Sequence, residues 1–261
     1  MDLNHLSALR SHELKAVLQL LEKYGMNSGQ LLEIGAGTGH QALMLAERGY
    51  KVSAIDLPKS RYTPSRVWPV IDYDGLKIPF PDQSFEVIFS SNVLEHIIDI
   101  DQIQQEIYRV LAPGGLVIHV LPSPTWRILT MLVHYPWLAT AMTQSLTYKL
   151  KPKNQKTTNP SPQKPTVRSD FFRRILYANR HGEHGNALTE AYQFRSKRWL
   201  NNFKKNSFQA VEILESGLIY SGYALLGSRL SISSRKKLAS LLGSACNIFV
   251  LRHQAEEIPK K

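Results

Sequence analysis

At 261 residues, 43% of them apolar, the chain is long enough to bury a sizeable core as one large domain or one domain with an elaborated insertion. A lone cysteine, Cys246, excludes an internal disulfide framework and fits a reducing compartment. Residues 1–5 show no basic run leading into an apolar stretch, so no signal peptide and a cytoplasmic location are expected. The formal charge of +11 is concentrated between Lys149 and Arg174, where eight Lys or Arg face one acid, Asp170. This suggests either a solvated loop or an anionic partner such as a membrane surface, a nucleic acid or an anionic substrate.

Along the chain, Leu14, Val17, Leu18 and Leu21 recur at helical spacing and predict an amphipathic helix over 11–24. Gln30–Ile34 reads as a short strand. It runs into Gly35-Ala36-Gly37-Thr38-Gly39, where glycine at every second position lets the chain turn tightly and bring bare backbone against a ligand. A helix over 41–48 and a strand over 51–56 follow, which makes a right-handed βαβ unit with parallel strands. Further strands are predicted at 67–73, 85–90 and 116–121, with a helix over 100–111 ended by Pro113-Gly114-Gly115. Strands at 210–214 and 246–251 and a helix over 235–242 complete the pattern. The fold predicted is α/β, a Rossmann-like, seven-stranded, mostly parallel sheet with helices on both faces.

After Pro122 the order loosens. Residues 126–148 are apolar and aromatic, long enough for a membrane span, yet His134, Gln144, Ser145 and several threonines interrupt them and the helical pattern breaks at Pro136. A helical lid or interfacial helix is the expectation. Residues 151–166, rich in Pro, Lys, Asn and Thr, read as a mobile surface loop, and helices are predicted over 170–179 and 196–206. The chain thus divides into a core, 1–121 and 207–261, and a helical and loop insertion, 122–206.

The glycine turn alone does not name its ligand. Its G-x-G-x-G spacing lacks the third glycine of the dinucleotide fingerprint, and Glu33 beside it suits a cationic ligand better than a phosphate. S-adenosylmethionine carries a sulfonium and an ammonium. Asp56, ending the second strand, stands where an acid binds ribose hydroxyls in either cofactor class. The discriminating features come later: Asp74-Gly75-Leu76-Lys77-Ile78-Pro79-Phe80, Ser90-Ser91-Asn92-Val93-Leu94-Glu95-His96 and Leu111-Ala112-Pro113-Gly114-Gly115. With these, residues 28–122 resemble the class I S-adenosylmethionine-dependent methyltransferases of the type 11, small-molecule group.

The resemblance implies a cofactor site made of Glu33, Gly35, Ala36, Gly37, Gly39, Asp56, Leu57, Asp74, Gly75, Leu76, Ser91 and His96. Glu33, Gly35 and Gly37 would face the methionine end and Asp56 the ribose. Leu57, Asp74, Gly75 and Leu76 would surround the adenine, with Ser91 beside the sulfonium and His96 just beyond it.

Methyl transfer from a sulfonium is a direct displacement, and an oxygen acceptor usually needs a base as well. His96 is the candidate base near the methyl group. A second cluster, His181-Gly182-Glu183-His184-Gly185-Asn186, reads as a loop that places His181 and His184 against substrate. The spacing of His181, Glu183 and His184 matches no helical metal motif, and no metal site is expected. Aromatics gathered in 122–206 beside the basic block suggest a small-molecule or lipid- or glycan-linked acceptor, with peripheral contact to an anionic membrane through 149–174. The alternatives are transfer to RNA, a nicotinamide-dependent oxidoreductase and a non-catalytic binding subunit. Against RNA stands Ser-Ser-Asn-Val after the fourth strand, where an Asn-Pro-Pro-Tyr-like run is absent.

Overall fold

A computed structural model describes residues 3–150, 178–186, 188–223 and 230–254, with the backbone alone at 3–6 and 141–150. Seven strands form one sheet: β1 Gly29–Ile34, β2 Tyr50–Asp56, β3 Ile71–Asp72, β4 Phe85–Ser91, β5 Leu111–Pro122, β6 Phe208–Glu215 and β7 Cys246–His253. Their order is β3-β2-β1-β4-β5-β7-β6. The first five are parallel, and β7 runs antiparallel to both β5 and β6. The strand order reverses between β1 and β4, which opens a crevice at their carboxyl ends.

The central strands alternate two cores. Leu31, Val87, Phe89, Leu116, Ile118, Ile248 and Val250 pack on one face with Leu14, Val17 and Leu21 of helix α1 (Leu3–Lys23). Leu32, Ile88, Val117, Phe249 and Leu251 pack on the other with Ile103 and Ile107 of α3 (Ile100–Val110). Both faces of these strands are buried, which is why they read as continuous apolar runs. Helix α2 (His40–Ala46) follows the glycine turn. β5 begins at Leu111, so Pro113-Gly114-Gly115 does not precede the strand but makes a register shift within it, between the pairings Phe85 with Leu111 and Val87 with Leu116.

Helix α4 (Pro124–Leu150) continues through Pro136, contrary to the break expected there. Pro136 removes one amide and crowds the carbonyl four residues earlier, at Leu132. Both residues are exposed, so water can take up the freed carbonyl, while Trp126, Arg127, Thr130 and His134 anchor the inner face. No described helix is long and apolar enough to cross a membrane. Two helices follow, α5 (Glu190–Gln193) and α6 (Ser196–Lys205), and Trp199 and Phe203 of α6 join the same buried cluster as Phe249. Helix α7 (Ile232–Leu242) precedes β7. The loop expected over 151–166, most of the helix expected over 170–179 and most of the basic block 149–174 lie outside the described residues; Ala178 and Asn179, at the end of that expected helix, are not helical.

Candidate active site

β1 delivers the chain into the glycine turn at the crevice. There φ is +71° at Gly35, +58° at Gly37 and +74° at Gly39, values that glycine alone adopts freely. Two positions also lack room for a side chain. A Cβ on Gly35 would lie 2.4 Å from Val93 Cγ2, and one on Gly39 2.6 Å from Trp68 Cβ. The amides of Gly35 and Ala36 both donate to the Ile55 carbonyl, at 2.8 and 3.0 Å. At the end of β2, the Asp56 carboxylate accepts from the Gly37 amide (3.1 Å) and the Leu57 amide (2.8 Å), which sets it at the mouth of the turn.

Glu33 is 2% exposed. Burial pushes its carboxyl up to about 8; the Ala42 amide opposes the shift and the Asp56 charge adds to it. Its Oε2 has no hydrogen-bond partner among the described residues. An acid this buried is poised to ionise against a cation. Across the crevice, Asp74 Oδ1 accepts from the amides of Lys77 (2.9 Å) and Leu76 (2.8 Å), which hold the carboxyl below the usual range. Gly75, at φ +82°, lets this turn close on Leu57, whose Cδ2 would sit 3.0 Å from an added Cβ. Leu57 and Leu76 are 49% and 52% exposed, two apolar side chains left open at the carboxyl end of the sheet.

β4 ends at Ser91, and Asn92, at φ +56°, turns the chain while its amide donates to the Val120 carbonyl (2.8 Å). The 3-10 turn Leu94–His96 follows. Here the segment 178–186 comes in. The Glu183 amide donates to the Glu95 carbonyl (2.8 Å), His184 Nε2 bonds the Ile97 carbonyl (3.0 Å), and a Cβ on Gly182 would meet the Glu95 carbonyl at 2.6 Å. His181 thereby lands against His96, ring centroids 4.6 Å apart. Both Nε2 atoms face one oxygen of Glu95, at 3.8 Å from His96 and 3.5 Å from His181. Burial pushes the His96 pKa down, partly offset by Glu95. Glu183 pairs instead with Arg180, Oε2 to Nη2 at 2.7 Å.

A buried ion pair holds this segment. Arg127 of α4 donates to the carbonyls of Asn179 (2.8 Å) and Ala178 (3.1 Å), and its Nε lies 3.1 Å from Glu190 Oε2. Glu190 Oε1 in turn accepts from the amides of His181 (2.5 Å) and Gly182 (2.7 Å). Beyond His181 opens a cavity of about 230 Å³ lined by Trp126, Thr130, Asn179, Arg180, His181, Gly222 and Tyr223. Its aromatic wall is fixed by the His134 Nδ1 to Tyr223 hydroxyl hydrogen bond (2.8 Å) and by Trp137 against Tyr223, ring centroids 4.8 Å apart.

A family described as a methyltransferase domain matches residues 32–119, the span holding Glu33, the glycine turn, Asp56, Asp74, Ser91 and His96. Residues 32–119 are a methyltransferase domain. Over 93 residues, 34% of this chain, the sequence is 34% identical to the malonyl-acyl carrier protein O-methyltransferase of Serratia marcescens. Over 106 residues, 36% of this chain, it is 35% identical to the demethylmenaquinone methyltransferase of Thermus thermophilus. These matches cover 36% and 48% of the two relatives, so the chain spans less than half the length of either. The fold extends further. A solved structure from Listeria monocytogenes, described as "putative S-adenosylmethionine dependent methyltransferase", superposes with a TM-score of 0.52 at 17% identity. It covers 94% of this chain and 97% of its own.

The residues of the methyltransferase domain fit S-adenosylmethionine on their own geometry. Glu33 offers an unpartnered buried oxygen to a cationic end, the glycine turn leaves backbone bare, and Leu57 and Leu76 flank the place for an apolar ring. The structure gathers Glu33, Gly35, Ala36, Gly37, Gly39, Asp56, Leu57, Asp74, Gly75, Leu76, Ser91 and His96 around the carboxyl ends of β1, β2 and β4 and the turn after β3. It brings His181 to His96 and ties His184 to Ile97. Sequence reading missed Glu95, Arg127 and Tyr223. Glu95 stood inside a motif already singled out, whereas Arg127 and Glu190 are 63 positions apart by number and nothing local pairs them.

Proposed function

We propose that this chain transfers the methyl group of S-adenosylmethionine directly to an oxygen of a small-molecule or lipid- or glycan-linked acceptor seated in the cavity beside His181. One observation carries the reading. His181, from the acceptor side, and His96, from the end of β4, converge on a buried carboxylate between the donor turn and that cavity. In the displacement the acceptor oxygen attacks the methyl carbon, the S–C bond breaks, and its electron pair stays on sulfur. The acceptor's proton is drawn off by the Glu95–His96–His181 cluster, while His184 steadies the loop through Ile97. Among the tasks of the site, alignment of the two reactants is the largest, worth about 7–11 kcal/mol.

An acceptor carried on a lipid suits the outer face of α4, where Ile128, Leu132 and Tyr135 recur at helical spacing and are exposed. With the basic residues of 149–174, this face supports peripheral contact with an anionic membrane, on its cytoplasmic side. The test is a methyl-labelled donor incubated with the protein and small-molecule, lipid and RNA fractions of the source cell. Label should enter a lipid or small-molecule fraction. Label confined to RNA, or failure of S-adenosylmethionine to bind in calorimetry, would overturn the proposal.

A further inference from the structure

We infer that Glu95, His96 and His181 form a binding site for a divalent transition-metal ion of the Zn²⁺ or Co²⁺ kind. The candidate ligand atoms of the three residues all lie within 4.8 Å of one another. Around a tetrahedral ion with ligands at about 2.0–2.2 Å, neighbouring ligand atoms stand about 3.4 Å apart. The approaches of His181 Nε2 and His96 Nε2 to Glu95 Oε1, 3.5 and 3.8 Å, are close to that spacing. Both imidazoles are partly exposed, and small side-chain rotations would close the remaining distance to the buried Glu95.

Glu95 supplies the independent argument. Its side chain is 1% exposed, and neither carboxylate oxygen has a hydrogen-bond partner among the described residues. A buried carboxylate without hydrogen bonds costs several kcal/mol unless positive charge meets it. Two imidazole nitrogens and one carboxylate favour a zinc-like ion over Mg²⁺ or Ca²⁺, which prefer oxygen throughout. The distant ligand is also held: Glu190 anchors the His181 amide and Arg127 the carbonyls just before it. Three protein ligands leave a fourth position, and His181 borders the cavity. There a hydroxyl bound to the ion would be more acidic, so that with the ion in place these residues would assist loss of the acceptor's proton as ligands and not as bases. That catalytic consequence, though not the site, rests on the methyl-transfer reading.

The experiment uses tag-free full-length protein stripped with a chelator, then titrated with Zn²⁺ by calorimetry and with Co²⁺ by visible absorption. One ion per chain is expected, with the intense d–d bands of tetrahedral Co²⁺. His181→Ala and His96→Ala, both at partly exposed side chains, should each weaken Zn²⁺ binding at least tenfold while the far-ultraviolet dichroism stays native. No stoichiometric binding, or binding that both variants leave unchanged, overturns the site. Calorimetry with S-adenosylmethionine on the same samples separates the two proposals, since donor binding without metal binding sinks only this one.

Discussion

Arg127 and Glu190 meet where neither side chain reaches solvent, and between them they bind the backbone of four residues, Ala178, Asn179, His181 and Gly182. Removing one partner leaves a buried charge without its counterpart, at a cost of about 3–5 kcal/mol. Arg127→Ala and Glu190→Ala should therefore each lower the melting temperature by about 6 °C or more. Hydrogen exchange at the amides of His181 and Gly182 should rise with it. Native exchange at these two amides in Glu190→Ala would refute the anchoring role.

Glu33 makes donor binding depend on proton release. Its folded-state pKa, about 8, lies above the ordinary carboxylate value, so the free protein holds a proton there at neutral pH. As pH rises from 4.5 to 8 this group costs the free fold stability, on the order of 4 kcal/mol in all. A cation bound beside it favours the charged form. S-adenosylmethionine affinity should climb toward tenfold per pH unit between pH 6 and 8, and binding enthalpy should follow the ionisation enthalpy of the buffer. Glu33→Gln should flatten both trends and weaken binding at pH 8.

The glycines of the turn separate folding from binding. Gly35→Ala forces a side chain into a positive φ and against Val93, which costs about 1–2 kcal/mol in backbone strain before the clash is relieved. It should melt several degrees lower. At Gly37, φ +58°, a side chain meets the same backbone strain but no clash, since the neighbour Tyr62 lies 3.4 Å from an added Cβ, so Gly37→Leu should cost little beyond that strain and project into the donor's proposed place. Calorimetry should find donor affinity reduced more than a hundredfold with a loss of only a few degrees in melting temperature.

His119 gives the opposite pH trend. It is buried in β5 with Nδ1 2.7 Å from Ser90 Oγ, and burial drives its pKa down to about 3. The unfolded chain takes up a proton near pH 6.5 that the folded chain refuses. This contribution is intact above pH 6.5 and is lost as pH falls toward 3, about 4 kcal/mol over the range. His119→Gln retains a partner for Ser90 without that titration. Subtracting its acid-denaturation curve from that of the parent should leave a difference that grows below pH 6.5; parallel curves would dismiss the assignment.

The sheet was legible because both faces of its central strands are buried. Leu31, Leu32 and Ile34, or Val87, Ile88 and Phe89, must all be apolar whichever way they point. The turns expected to hold the donor were legible as turns for a related reason: each lies at or just after a strand end, and short spacing survives in the sequence. Pro136 misled because its effect depends on whether the orphaned carbonyl faces water, which is a property of packing. The union of His96 with His181 was out of reach. It depends on a pair of charges buried on α4 and α5, and no period or local motif encodes a contact between residues 85 positions apart by number.

The turn after β4 touches both halves of the site. Val93 fills the space above Gly35 in the donor turn, and two residues on, Glu95 gives its carbonyl to the Glu183 amide and its carboxylate to His181. In the proposed seats, donor and acceptor would be linked heterotropically through these three residues of backbone. Whatever a bound donor does to Val93 in affinity for the acceptor, the acceptor returns in equal measure to the donor. For the methyl transfer proposed above, such a link predicts an ordered sequence of arrival, with the donor first.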